Sequence, residues 1–225
     1  MKKLALIFAL IFIVPMLCGF AAAPTTGGKS AGKAYPYLID NFEDGTYTKD
    51  PEWFVFDNLI PTIVKNAKLQ DGEPSVIPNL GIYSLNMKGM AKSWYVGGMG
   101  SMLGVDATPY TSFEIDIYGM GEGSGKLKIE LYDDDNGNTD VEVDKSWKAI
   151  YDDVWSSEID VNWKGWKHVS IPMSKFKNDG RGDFKWNPNL ANGSGGLVKI
   201  QLICVAVTET GEINYNIDNL EFGLK

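Results

Sequence analysis

The sequence contains three extended patterns that could do chemistry on a solute. In Gly165-Trp166-Lys167-His168-Val169-Ser170-Ile171-Pro172, Val169 and Ile171 fall on one face, and Trp166, His168 and Ser170 on the other. Pro172 closes the stretch, because proline donates no ladder hydrogen bond. Phe113, Ile115 and Ile117 alternate with Glu114, Asp116 and Tyr118, and Leu127, Ile129 and Leu131 alternate with Lys128, Glu130 and Tyr132. Each stretch presents an apolar face to a core and an aromatic, polar face to something else. A sugar needs the second kind of surface, with flat rings for its C–H faces and hydrogen-bonding groups for its hydroxyls. A sheet whose polar face meets only water has the same pattern.

The turn-rich residues 119–125 suggest that the second and third stretches form an antiparallel hairpin, which would bring Asp116, Tyr118, Glu130 and Tyr132 to one face. Asp116 and Glu130 could then serve as a paired acid and base. Glycoside hydrolysis needs two carboxylates about 5–10 Å apart with pKa values driven apart, and acids on an open sheet face have little burial to drive them. His168 is the only histidine, with no serine or cysteine constellation around it, so a catalytic triad is not expected. Asp133-Asp134-Asp135-Asn136-Gly137-Asn138 invites a calcium-loop reading. Its glycine falls fifth rather than sixth and no glutamate stands at the twelfth position, which favours an ordinary acidic turn.

The elements that would position these residues are short strands. Residues 37–43, 53–56, 83–90, 198–207 and 213–222 read as strands, the fourth apolar on both sides and therefore central. Residues 57–78 read as irregular, with a helical turn near 60–68. The glycine-rich run 97–104 lacks the lysine and spacing of a phosphate loop and is read as a place where strands bend or approach closely. Trp53, Trp94 and Trp163 are expected to plug the rim of the core. With 25 glycines, 44% hydrophobic residues and no long helical period, the chain is expected to be an all-β sandwich in one domain.

The first 23 residues read as a signal peptide, with Lys2 and Lys3 ahead of an apolar run and Ala21-Ala22-Ala23 as small residues for cleavage. Leu17, preceding Cys18, is not the small residue a lipoprotein cut prefers. Residues 24–36 have the composition of a flexible linker and 37–225 form the domain. Without Lys2 and Lys3 the balance is 19 basic against 29 acidic residues, net −10, which disfavours nucleic acid and anionic lipid as partners. No membrane insertion is expected after cleavage, and the protein is expected to be secreted, periplasmic or at the cell surface. Cys204 would then be the sole cysteine, most simply a buried hydrophobe.

Four segments in this order resemble the galactose-binding-like jelly-roll domains, in particular family 11 carbohydrate-binding modules and complex I intermediate-associated domains. They are Ile39-Asp40-Asn41-Phe42-Glu43-Asp44-Gly45, the glycine-rich stretch after Trp94, Gly165-Trp166-Lys167-His168-Val169-Ser170-Ile171-Pro172-Met173-Ser174-Lys175-Phe176, and Tyr215-Asn216-Ile217-Asp218-Asn219-Leu220-Glu221-Phe222. The resemblance implies a jelly-roll β-sandwich of two antiparallel sheets, with first and last strands adjacent and a structural Ca2+ between them. Glu43 and Asp218 match the carboxylate positions of such sites, with Asp40 a weaker candidate. It further implies a non-catalytic module that binds polysaccharide across one sheet. Tyr118 and Tyr132 would be stacking platforms, Asp116, Glu130 and His168 hydrogen-bonding groups, and Trp155 and Trp166 a wall. An envelope adhesion protein that binds other envelope proteins with the same sandwich is the alternative.

Overall fold

The computed structural model describes residues 35–66 and 80–224. The signal-peptide reading and most of the linker lie outside the described residues. Twelve strands occur among them: β1 (Tyr37–Asp40), β2 (Phe54–Asp57), β3 (Leu59–Lys65), β4 (Tyr83–Met90), β5 (Tyr95–Val105), β6 (Ser112–Met120), β7 (Gly125–Asp133), β8 (Asp153–Val161), β9 (Lys164–Pro172), β10 (Lys177–Asn178), β11 (Leu197–Val205) and β12 (Glu212–Gly223). They form two six-stranded sheets. The first runs β3-β4-β12-β6-β9, with β1 also paired to β12, and the second runs β10-β8-β7-β11-β5-β2. All pairings are antiparallel. This is the expected sandwich, with β1 beside β12 and β11 central.

The core lies between the sheets. Leu85, Met87, Phe113, Ile115, Ile117, Ile213, Tyr215 and Ile217 from the first sheet pack with Met99, Leu127, Ile129, Leu131, Ile200, Leu202 and Cys204 from the second. The apolar triplets of β6 and β7 therefore face inward, as the alternation requires. They do so from opposite sheets. β6 pairs with β12 and β9, and β7 with β11 and β8, so the two are not a hairpin. The reason is burial: two fully apolar faces bury more surface facing each other across a core than side by side in one sheet. The crossing is made at residues 120–125. There Ser124 Oγ donates to Gly121 O at 2.6 Å and accepts from Met120 N at 2.9 Å, while Gly121 N donates to Trp163 O at 2.9 Å. β8 and β9 likewise divide between the sheets.

Two local expectations are corrected. Residues 59–65 form strand β3 rather than a helical turn. The run Ile60-Pro61-Thr62-Ile63-Val64 is β-branched, which favours a strand, and Pro61 is tolerated because β3 is an edge strand paired only to β4. The glycine-rich run is the body of β5, an eleven-residue strand between β11 and β2, and its glycines do mark close approaches, a Cβ on Gly97 meeting Phe56 O at 2.5 Å. Trp53 and Trp163 pack against the core as rim plugs, whereas Trp94 is exposed. Among the described residues no helix is long and apolar enough to cross a membrane.

Candidate functional site

The outward face of the second sheet carries a groove, and strand register explains its floor. Glu130, Gln201, Gly100 and Phe54 stand side by side on β7, β11, β5 and β2; Lys128, Ile203, Gly98 and Phe56 form the next row. Small residues at Gly98 and Gly100 let the neighbouring rings lie down. A Cβ on Gly98 would come 2.7 Å from Phe56 Cζ, and one on Gly100 would come 2.5 Å from Phe54 Cζ. Any side chain there would lift the rings off the sheet. The rings stack at 6.2 Å between centroids. Tyr95 extends this aromatic wall, its hydroxyl donating to Asp57 Oδ2 at 2.7 Å. The opposite wall is the loop carrying Val143, Ser146 and Trp147. Asp144 holds that loop in shape, its Oδ1 accepting from Ser146 N at 2.7 Å and Lys148 N at 3.1 Å. Trp147 projects from the loop with 83% of its surface exposed. The enclosed volume is about 660 Å³, within the range of small-ligand sites.

Polar groups line the floor between these walls. Tyr132 Oη lies 2.6 Å from Gln201 Oε1 and 3.0 Å from Glu130 Oε2. Lys199 Nζ lies 3.8 Å from the centroid of the Tyr132 ring, a cation–π contact. Burial, then the Glu130 charge, push the Tyr132 hydroxyl well above its ordinary pKa, and burial pulls Lys199 down. Lys128 Nζ bridges Glu130 Oε1 at 2.9 Å and Asp179 Oδ2 at 3.0 Å. The hollow thus offers open aromatic faces at its sides and acceptors and donors at its base, the two contact types a pyranose ring requires.

The residues expected to form one site occupy three places. Glu130 and Tyr132 line the groove, but Tyr132 is only 6% exposed beneath Lys199, so it is a structural floor residue rather than an open stacking platform. Trp155 pairs in register with Leu131 and packs on the core side, its ring 5.8 Å from Trp186 in an edge-to-face contact. Asp116, Tyr118, Trp166 and His168 lie on the outward face of the first sheet, on β6 and β9. There His168 Nδ1 is 2.7 Å from Asp116 Oδ1 and His168 Nε2 is 3.0 Å from Glu114 Oε2. Asn219 Nδ2 donates to Asp116 Oδ2 at 2.8 Å, and Tyr118 meets Trp166 edge-to-face at 5.5 Å. The sheets of a sandwich pack about 10 Å apart. Asp116 and Glu130, on opposite outward faces, therefore cannot share a glycosidic bond as acid and base.

Phe54, Phe56, Tyr95, Trp147, Lys199 and Gln201 are groove residues that the sequence reading missed. A signal existed for some of them. Phe54 and Phe56 flank Val55 at strand period, and Lys199 and Gln201 alternate with Val198, Ile200 and Leu202.

The junction of β1, β3, β4 and β12 holds the cation candidates. β12 pairs with β4 as far as Ile217 and with β1 from Leu220, so Asp218 falls where the ladder changes partner. Asp218 Oδ1 accepts from Asn219 N at 2.8 Å; its Oδ2 is buried and without a partner among the described residues. Asn66 Nδ2 donates to Leu80 O at 2.7 Å and Tyr83 O at 3.0 Å, and its buried Oδ1 has no partner among the described residues either. Glu43 Oε1 accepts from Ile82 N and Tyr83 N, each at 2.8 Å. Burial, with the charges of Asp116 and Glu43, pushes the Asp218 carboxyl up to about 8. Two orphaned buried oxygens, one from a carboxylate and one from an amide, with the Glu43 carboxylate nearby fit the oxygen ligands of a hard cation. Asp40 does not fit that role. Its Oδ1 accepts from Phe42 N and its Oδ2 from Trp53 Nε1, both at 2.8 Å, so it anchors the core.

The fold is shared with carbohydrate-binding modules. The family 11 carbohydrate-binding module of the cellulosomal cellulase Lic26A-Cel5E of Clostridium thermocellum superposes with a TM-score of 0.51 at 13% identity, over 86% of this chain and 98% of that one. The Clostridium thermocellum family 11 module in complex with a β-1,3-1,4-mixed-linked tetrasaccharide gives 0.51 at 15% identity, over 85% and 98%. An exo-β-agarase gives 0.51 at 14% identity, covering 84% of this chain but 25% of that one. No family model matches the sequence, and no curated protein matches it. The class these findings define is the two-sheet β-sandwich of carbohydrate-binding modules. The family 11 modules among the neighbours are the particular likeness that the four sequence segments anticipate.

Proposed function

We propose that this protein is a non-catalytic carbohydrate-binding module that holds a polysaccharide chain in the groove on the second sheet. The observation that carries the reading is the groove itself, where Phe54, Phe56, Tyr95 and Trp147 flank a floor of Glu130, Lys199 and Gln201 in a hollow of about 660 Å³. Open rings cover the C–H faces of successive sugars, while the floor groups exchange hydrogen bonds with their hydroxyls. A flat apolar patch would suit a protein partner better; a groove with a polar base favours a glycan. The family 11 neighbour solved with a mixed-linked tetrasaccharide makes soluble β-1,3-1,4-glucan the first ligand to try. Affinity electrophoresis through gels containing that glucan, agarose or xylan tests the reading. Retardation by one glycan that Tyr95→Ala abolishes supports it. A folded protein that no glycan in a broad panel retards refutes it.

A structural calcium ion held by Glu43, Asn66 and Asp218 completes the proposal, supported by the two orphaned oxygens at the strand junction. Bound calcium would stabilise the fold by mass action, about 2.7 kcal/mol at a hundred times the dissociation constant. Chelator should therefore lower the melting temperature, and Asp218→Asn should reduce that drop. An unchanged melting curve on chelation defeats the assignment. The protein is further proposed to be exported by its first 23 residues, which N-terminal sequencing of the mature form checks.

A further inference from the structure

A second set of oxygens lies where β7 ends and β8 begins, away from both the groove and the β1–β12 junction. Asp133 and Asp153 are direct cross-strand partners, and both are fully buried. Like charges placed opposite each other destabilise a sheet unless something lies between them. The hydrogen bonding is one-sided. Asp133 Oδ2 accepts from Asn187 N at 3.0 Å, Asp153 Oδ1 from Gly182 N at 3.0 Å, and Asp135 Oδ2 from Asp153 N at 2.9 Å and Asp183 N at 3.3 Å. The other oxygen of each, Asp133 Oδ1, Asp153 Oδ2 and Asp135 Oδ1, is buried and has no partner among the described residues. Backbone amides thus fix three carboxylates in orientation and leave one oxygen of each unused. Carboxylate oxygens of Asp135, Asp153 and Asp183 lie within 4.8 Å of one another. The charges of all three bear on Asp133, so the fourth carboxylate faces the same cluster. Asp183 closes the exposed side, with Lys185 Nζ 2.9 Å from its Oδ2. The covering loop is shaped to the carboxylates, since a Cβ on Gly182 would collide with the Asp135 carboxylate.

We propose that Asp133, Asp135, Asp153 and Asp183 form a divalent-cation site selective for calcium, separate from the Glu43, Asn66 and Asp218 site. All four donors are carboxylates, which selects hard cations over thiolate- or imidazole-seeking metals. The oxygens come from two strands and two loops, an irregular set that suits the tolerant geometry of calcium better than the strict octahedron of magnesium. The ion would neutralise the opposed Asp133 and Asp153 and tie the loop carrying Gly182 and Asn187 to the end of the sheet.

The test is calcium stoichiometry by isothermal titration of the chelator-stripped protein in an Asp218→Asn background, which disables the other candidate site. The expected result is one calcium per chain, eliminated by Asp153→Asn and weakened about tenfold or more by Asp183→Asn, with circular dichroism unchanged. In chelator, Asp153→Asn should raise the melting temperature by relieving repulsion, whereas in calcium it should lower it. A folded Asp218→Asn protein that takes up no calcium at millimolar concentration overturns the proposal, and so does uptake that survives both substitutions. Tighter binding of magnesium than of calcium overturns the choice of ion. If Asp218→Asn does not fold, the wild type is counted instead. Loss of one equivalent on Asp153→Asn supports the site, and loss of none overturns it.

Discussion

The two outward faces of the sandwich have similar residue types and opposite states. On the first sheet, Asp116, Glu114, His168, Ser170 and Asn219 spend their hydrogen-bonding capacity on one another, and Tyr118 and Trp166 pack edge-to-face. On the second, the wall rings are open: Phe54 is 41%, Tyr95 38% and Trp147 83% exposed. Aromatic and polar composition alone does not make a binding face. What makes one is relief, here produced by glycines under the rings and a loop raised opposite them; the floor groups also bond one another, but at the base of a hollow that a solute can enter. The first face is a closed network that stiffens a sheet; the second leaves its rings open, as the proposed glycan groove requires.

The largest effect that would sharpen this contrast is on glycan affinity. Each well-buried aromatic contact is worth about 1.4 kcal/mol or more, a factor of ten. The Phe54→Ala/Tyr95→Ala double variant should therefore weaken binding about a hundredfold. The Tyr118→Ala/Trp166→Ala double variant on the opposite face should leave affinity within about twofold. Titration calorimetry with the glycan that retards the wild type measures both, and equal losses from the two pairs would break the distinction between the faces. A smaller effect concerns the groove floor. Tyr132 is nearly buried under Lys199, and its hydroxyl contacts Gln201 and Glu130. Tyr132→Phe should cost about 1 kcal/mol of stability in denaturant unfolding, the net worth of one such hydrogen bond. Its effect on affinity should be smaller than that of Tyr95→Ala. A Tyr132→Phe protein as stable as the wild type would mean that the hydroxyl contributes nothing to the floor.

Much of the fold was legible because inward positions announce themselves. The triplets of β6 and β7 alternate strictly, and each of their residues is buried. Which strands pair was not legible. A turn-rich segment such as 119–125 reads the same whether the chain doubles back beside itself or crosses to the other layer. Only the global need to bury both triplets decides, and it sent Asp116 and Glu130 to opposite surfaces. The site suffered most from this. Glu130 and Tyr132 were found because β7 does face the groove; Asp116 and Tyr118 were drawn in by a pairing that does not occur, and Trp166 and His168 on β9 share their face rather than the groove's. Gly98 and Gly100 carried information as absences of side chain, which become meaningful only once Phe54 and Phe56 are seen lying over them. Trp147 lies on a loop, where no period marks its direction.

The smallest effect tests the closed network through pH. Burial lowers the affinity of His168 for its proton, but the Asp116 and Glu114 carboxylates outweigh this, so its pKa in the folded protein is raised. A group bound more tightly to its proton when folded adds stability that is fully present below the unfolded value, about 6.5, and is lost as pH rises through the folded value. The His168 ring is half exposed, so solvent screening limits the contribution to less than about 1 kcal/mol. His168→Gln should therefore narrow the stability gap between pH 5 and pH 8, with the larger loss on the acid side and no change in glycan affinity at either pH. Urea unfolding of both proteins at the two pH values measures it. A loss larger at pH 8 than at pH 5 would mean that the ring serves the network as a neutral hydrogen-bonding group rather than as a cation between two carboxylates.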